Sequence, residues 1–222
     1  MKKKALAIAA ASAMVLATGS VQAHEAGNLI LRVGAATVAP DDSSSQVMVD
    51  GAGIGGRATV NNNTQLGLTM SYMFTDNLAL GVLAATPFKH RVALDGLGAL
   101  DGKFADVKHL PPTLTLQYFP LDKASRFQPY VGAGLNYTTF FSEKLTATRK
   151  AQGFSGLSLK DSWGLALEAG VDWKINDRLL INAAVWHIDI DTKATARLGN
   201  SAVRVNVDID PWVYMVGIGY RF

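Results

Sequence analysis

The last eleven residues, Trp212-Val213-Tyr214-Met215-Val216-Gly217-Ile218-Gly219-Tyr220-Arg221-Phe222, decide the fold. Trp212, Tyr214, Val216, Ile218, Tyr220 and Phe222 share one parity; Val213, Met215, Gly217, Gly219 and Arg221 share the other. Bulky groups alternating with small or polar ones mark a period-two strand with one apolar face. The alternation recurs upstream. Leu66, Leu68, Met70, Tyr72 and Phe74 oppose Gln65, Gly67, Thr69 and Ser71. Leu114, Leu116 and Tyr118 oppose Thr113, Thr115 and Gln117. Trp163, Leu165, Leu167, Val171 and Trp173 oppose Gly164, Ala166, Glu168, Gly170 and Asp172.

In a soluble sandwich the second face would be solvated and rich in charge. Here it is mostly Gly, Ser, Thr, Asn and Gln, which suits the crowded interior of a narrow barrel. The bulky face then meets lipid, with aromatics at the strand ends as interface girdles. Tight turns at 75–77, 121–125 and 176–178 alternate with longer polar stretches at about 40–60, 94–105, 143–157 and 197–202. Seven connections predict an eight-stranded antiparallel transmembrane β-barrel, with short periplasmic turns and longer extracellular loops. The strands fall at roughly 28–38, 62–74, 78–92, 107–119, 128–142, 159–175, 179–196 and 203–222.

The N-terminus supplies the route. Lys2, Lys3 and Lys4 precede an apolar run, Ala5 to Ala17, and a small-x-small site ending Val21-Gln22-Ala23. This reads as a Sec signal peptide over 1–23, cleaved to leave a barrel domain over 24–222. The run is too short to cross a bilayer as a helix. The chain carries 21 Lys and Arg against 18 Asp and Glu; less those three lysines, 18 remain, and the net charge is zero. The basicity therefore belongs to export and argues for no nucleic-acid partner. The chain has no cysteine.

An eight-stranded bore is barely wider than its own side chains, which argues against a general water-filled porin. The inward parities put Arg32, Glu168 and Asp172 in a lower polar network, together with Gln65, Gln117 and Asn182. A buried cation beside carboxylates reads as a structural plug or, alternatively, an ion pathway. Higher up, Leu83, Trp186, Ile188, Val213 and Met215 point inward and form either an apolar pocket, with Leu83 and Trp186 as gates, or ordinary core filling. Prolines are rare inside paired strands. Pro87 is expected to point inward on the third strand and to face Pro111 on the fourth. With Pro112 and Pro211 they mark either rim bulges or a lateral opening in the wall. The apolar parity flips at Pro211.

The four histidines, His24, His90, His109 and His187, lack metal-ligand spacing. His90 and His109 are expected as a solvated rim pair, beside a basic patch of Lys89, Arg91 and Lys108 suited to lipopolysaccharide phosphates. No G-x-S-x-G occurs. The expectation is no enzyme, no metal and no cofactor.

The segments HEAG (24–27), NNTQLGLT (62–69), TDNLAL (75–80), AATPF (84–88), HLPPT (109–113), PYVGAGLNYTTFF (129–141), LSLKDSWG (157–164), DPWV (210–213) and GYRF (219–222) resemble the OmpW family of Gram-negative outer-membrane proteins. The resemblance runs from His24 to Phe222; segments 40–60 and 143–156 match little. It implies a bacterial outer-membrane location and a hydrophobic channel for small apolar solutes, with lateral release through the wall. It also implies a competing role as a non-transporting structural or receptor barrel, such as a bacteriocin receptor. It places Leu83 and Trp186 in the gate region. The terminal Phe222 resembles the signal read by the barrel-assembly machinery. The first loop, part of an apolar cup in such proteins, is polar and Gly/Ser-rich here.

Overall fold

The computed structural model describes residues 24–41, 43–122 and 124–222; the signal segment read from 1–23 lies outside them. Eight strands are described by their membrane pieces, most continued by an outer piece. They are β1 (Leu29–Ala39), β2 (Asn63–Met73, outer piece Arg57–Val60), β3 (Leu78–Ala85, outer Phe88–Asp95) and β4 (outer Gly102–Leu110, then Thr113–Tyr118). Next come β5 (Phe127–Leu145, continuous), β6 (outer Phe154–Leu159, then Ser162–Lys174), β7 (Leu179–Ile188, outer Asp191–Leu198) and β8 (outer Ser201–Asp208, then Trp212–Arg221). Every neighbour pairs antiparallel with the next, and β1 pairs β8 from Ile30↔Arg221 to Ala39↔Trp212. The barrel is closed and no edge faces lipid, as a bilayer without hydrogen-bonding water requires.

The bulky parity faces outward. Trp163 is 74% exposed, Leu165 65% and Val216 63%. Surfaces this apolar and continuous are stable only against hydrocarbon. Tyr72, Phe74, Tyr118, Phe127 and Phe222 crowd one end of the band, and Trp163, stacked on Tyr137, stands at the other with Trp212. Above that outer girdle the exposed side chains become Lys89, Arg91, Lys108, Lys160, Lys193 and Arg204. The barrel wall therefore continues into water beyond the membrane.

The outer pieces form two blades. One joins the outer pieces of β2, β3, β4 and β5. The other joins those of β6, β7 and β8, with first-loop strips Ser43–Ser44 and Met48–Val49 added to β8. Above Thr138↔Ser162 no ladder pair joins β5 to β6 among the described residues. The 143–157 connection caps one blade with a short helix, Ala147–Ala151, whose Thr146 side chain accepts from the Arg149 amide. Buried Arg149 donates to the Leu100 and Asp101 carbonyls, 2.8 Å each, and so ties this loop to the β3–β4 tip. The stretches at 94–105 and 197–202 are tips of strand extensions rather than open loops, because β4 already begins at Gly102 and β8 at Ser201.

Close strand approach explains some of the small residues. Gly34 lies directly across from Gly217 on β8 and Gly67 on β2. A Cβ on Gly34 would collide with the Val216 carbonyl oxygen and would lie 2.6 Å from the Gly217 Cα. Gly34→Val should destabilise the closing seam by about 1–3 kcal/mol through overpacking. The adjacent outward-facing Ala35→Val should be near neutral. Urea midpoints of the detergent-folded barrel, read by gel mobility, check this.

Candidate functional site

The lower bore is filled by a connected polar plug. Buried Arg32 donates from Nε to Asp172 Oδ1 at 2.8 Å and from Nη1 to Ser71 Oγ at 2.7 Å, and pairs Asp172 a second time through Nη2. Asp172 also receives Asn182 at 2.8 Å and the His24 ring at 3.1 Å. Ser71 donates to Gln117 at 2.7 Å; Gln117 and Thr115 in turn donate to Glu168, at 2.9 and 2.6 Å. The Arg32 guanidinium lies 5.4 Å from the Tyr130 ring centre. Arg32, Glu168 and Asp172 thus join one network, but only Asp172 pairs Arg32 directly; Glu168 is reached through Ser71 and Gln117. Gln65, expected in the lower half, lies instead near the top of β2, where it meets Asn63 and Thr86. No sequence pattern announces that His24 reaches the plug, since it stands outside any strand; it packs edge-on against Phe119.

Leu83, Trp186, Ile188, Val213 and Met215 are all buried, between 0 and 5% exposed. Trp186 lies across from Glu168 on the neighbouring strand, at the upper margin of the plug. None of the five lines the apolar cavity. That cavity, about 80 Å³, lies higher, between the two blades. Val92, Leu94, Phe104 and Val107 line it from one blade; Phe154, Leu159, Val203, Val207 and Ile209 line it from the other. Val47, Val49 and Ile54 of the first loop close it, so that loop is not only polar as its composition suggests.

The prolines coincide with one flaw in the wall. Between Leu83↔Thr113 and Phe88↔His109, no ladder pair joins β3 residues 84–87 to β4 residues 110–112. Four residues stand against three, a bulge. The extra residue moves the inward phase of β3 from odd to even positions. Pro87 is consequently exposed, not inward, and no ladder pair joins it to Pro111. Pro111 is buried and Pro112 exposed. The wall remains paired on both flanks, by Thr86 to Leu66 and Tyr137 to Pro112, at 2.9 and 3.1 Å. Pro211 is different. It is buried, and Ile188 donates to its carbonyl at 3.2 Å, so β7 and β8 stay joined there.

His90 and His109 are not a solvated rim pair. They turn inward and are 3 and 5% exposed, with rings stacked at 4.9 Å and 4°. The bulge explains the inversion on β3, where the shifted phase puts Lys89 and Arg91 outside and His90 inside; on β4 the odd inward phase of Thr113, Thr115 and Gln117 simply continues, leaving His109 inside and Lys108 outside. His90 Nδ1 donates to the Asn61 carbonyl, while Nε2 of each ring has no partner among the described residues. Burial, with the His90 ring beside it, pushes His109 down to about 3. Among the described residues the one acidic group compact enough for a cation is Asp189, Asp191 and Asp210 at the β7–β8 break; no sequence spacing announces it.

Residues 25–222 match the model of the OmpW family. The chain is 48% identical to Outer membrane protein W of Escherichia coli over 219 residues, covering 99% of this chain and all of that one. It is 28% identical over 193 residues to the dibenzothiophene metabolism operon protein PahQ of Pseudomonas aeruginosa, covering 86% and 87%. The crystal structure of the outer membrane protein OprG from Pseudomonas aeruginosa, 56% identical, superposes with a TM-score of 0.88 over 91% of this chain and 99% of that one.

Two outcomes follow from the site. Arg32→Leu leaves Asp172 buried without its cation and should cost about 3–5 kcal/mol, whereas Arg32→Leu with Asp172→Leu should recover most of it; urea titration of the folded barrel decides. His109 protonates less readily folded than its ordinary 6.5. Its neutral form therefore costs nothing above pH 6.5, and stability falls as pH drops from 6.5 towards 3. His109→Phe should flatten that part of the stability–pH curve. From its fold, sequence and outward apolar band, this chain belongs to the OmpW family of bacterial outer-membrane β-barrel proteins.

Proposed function

We propose that the barrel admits small hydrophobic molecules from outside and releases them sideways into the outer membrane. The observation that carries this reading is the stacking of three features on one path. An apolar cavity lies between the blades, a polar plug blocks the axis below it, and an unpaired stretch of wall opens between β3 and β4 at the level of the outer girdle. A solute that cannot cross the plug has only the wall as an exit. Proline removes a ladder donor, and Pro87, Pro111 and Pro112 all cluster at that opening. The PahQ relative, named for a dibenzothiophene metabolism operon, supports an apolar aromatic cargo.

Leu83, Trp186, Ile188, Val213 and Met215 act in this reading as the apolar collar between cavity and plug. Pro211 serves the rim of the cup. Uptake of an apolar fluorescent probe into proteoliposomes should fall to the protein-free background in Leu83→Arg and Trp186→Arg. Pro111→Ala supplies an N–H donor on the β3 side and should slow uptake by resealing the wall, whereas Pro112→Ala, whose backbone faces Tyr137 of β5, should not. Undiminished uptake in all of these variants refutes the route.

Lipopolysaccharide is the neighbour of the outer face. Lys89 and Lys108 lie directly across the β3–β4 pair with Arg91 beside them, all exposed just above the girdle. Each contributes about 1 kcal/mol towards an anionic surface. Replacing all three with Gln should weaken lipopolysaccharide binding in pull-down and reduce its salt sensitivity. Phe222 is the contact we assign to the barrel-assembly machinery, and processing after Ala23 would free His24 to enter the plug. N-terminal sequencing of the membrane form checks the latter.

A further inference from the structure

His90 and His109 stand at the junction of the cavity and the wall opening. His90 lies across from Val107, which lines the cavity, and is the next inward position below Val92, which lines it too. His109 lies across from Phe88, the first residue above the unpaired stretch of β3. The cavity lining above them is apolar apart from Thr192, Thr195 and Arg204. A cargo leaving the cavity for the opening passes the two imidazoles.

Their chemistry is specific. A carbonyl oxygen only accepts, so the His90 Nδ1 bonded to Asn61 carries the proton. Its Nε2 is then a lone-pair acceptor, buried and unpartnered. His109 Nε2 is likewise buried without a partner. Buried polar atoms left unpaired are uncommon and costly, and these two sit on the path. The rings lie parallel to within 4° with centres 4.9 Å apart, so a ligand donor that reaches the His90 Nε2 also meets the His109 ring. Phe88, 5.5 Å from His109, and Phe140, 5.8 Å away and inclined at 64°, complete an aromatic slot.

We infer that the preferred cargo is an aromatic compound bearing one hydrogen-bond donor, of the phenol class, whose O–H donates to the His90 Nε2, beside the His109 Nε2, between cavity and opening. This rests on the apolar-solute reading and narrows it. The ring is held by apolar and aromatic contacts that a hydrocarbon would share. The hydroxyl supplies the partner that the imidazoles lack. A phenolate or carboxylate would not serve, because a neutral Nε2 offers it no proton.

The test compares 4-ethylphenol with 4-ethyltoluene, in which a methyl replaces the hydroxyl, by calorimetry on the full barrel in detergent. Heats into empty micelles give the partition correction. After it, 4-ethylphenol should bind roughly tenfold more tightly. His90→Phe with His109→Phe should abolish that preference while 4-ethyltoluene binding persists. Should the variant fail to assemble, the imidazole ¹⁵N signals of the unaltered protein decide. Movement of the Nε2 resonances on adding 4-ethylphenol supports the inference, and their constancy overturns it. Equal corrected affinities, or a preference retained in the variant, also overturn it. If neither compound binds, the apolar-solute reading falls with it; if both bind equally, only this inference falls.

Discussion

A backbone amide in hydrocarbon has no water to turn to, and the structure follows from meeting that demand. The ladder from Ile30↔Arg221 to Ala39↔Trp212 closes the sheet on itself. Closure with eight strands fixes a bore that side chains nearly fill. It also fixes the alternation, because every residue in the membrane pieces faces either lipid or lumen. Strand crossings such as Gly34 opposite Gly217 leave no room for a Cβ. What looks like a compositional habit, glycine opposite bulky residues, is a spatial requirement.

Within that bore, charge is admissible only when paired. Arg32 and Asp172 satisfy each other and are held by Ser71, Asn182 and His24. The result is a barrier across the axis rather than a channel lining. In the proposed route the apolar cup above it has no downward outlet, and that is what would give the interrupted β3–β4 pairing its role. A flaw in the wall at the same height in an open porin would carry no such implication.

Strand number, the outward face and the placing of Arg32, Glu168, Asp172, Gln117 and Asn182 in the plug were legible because period-two alternation persists through ten residues or more; Gln65 and His24 were not. The limits were equally physical. On β8 the apolar parity does flip near Pro211, yet odd positions face inward on both sides, from Val203 through Met215. What changes there is the medium outside: water above, lipid below. Hydrophobicity reports the more apolar neighbour, not the lumen. On β3 the reverse happened. One additional residue between Leu83 and Phe88 shifted the phase, and no feature of AATPF separates a bulge from a continuous strand. Pro87 was therefore placed inside and the inward turn of His90 was missed; His109, also expected at a wet rim, keeps the unshifted odd phase of β4. The cavity escaped notice for a related reason. It is assembled from two blades and a loop distant in sequence, and Val47, Val49 and Ile54 are scattered among polar residues.

Two blades that meet above Thr138 and Ser162 without a shared ladder are held together mainly by apolar contact, with side-chain bonds such as the Ala58 amide to Ser44 Oγ and the Leu159 amide to Glu143 between them. Parting them breaks no strand pairing. An apolar guest larger than the present 80 Å³ can wedge them apart and replace the contacts it disrupts. Once the guest departs, water gains nothing by entering, and the surfaces seal against one another again. Such a mouth requires no hinged lid. On the proposed route it would admit oily molecules and exclude ions by the same surface chemistry, so the outer barrier would stay tight while the entrance stands unoccupied.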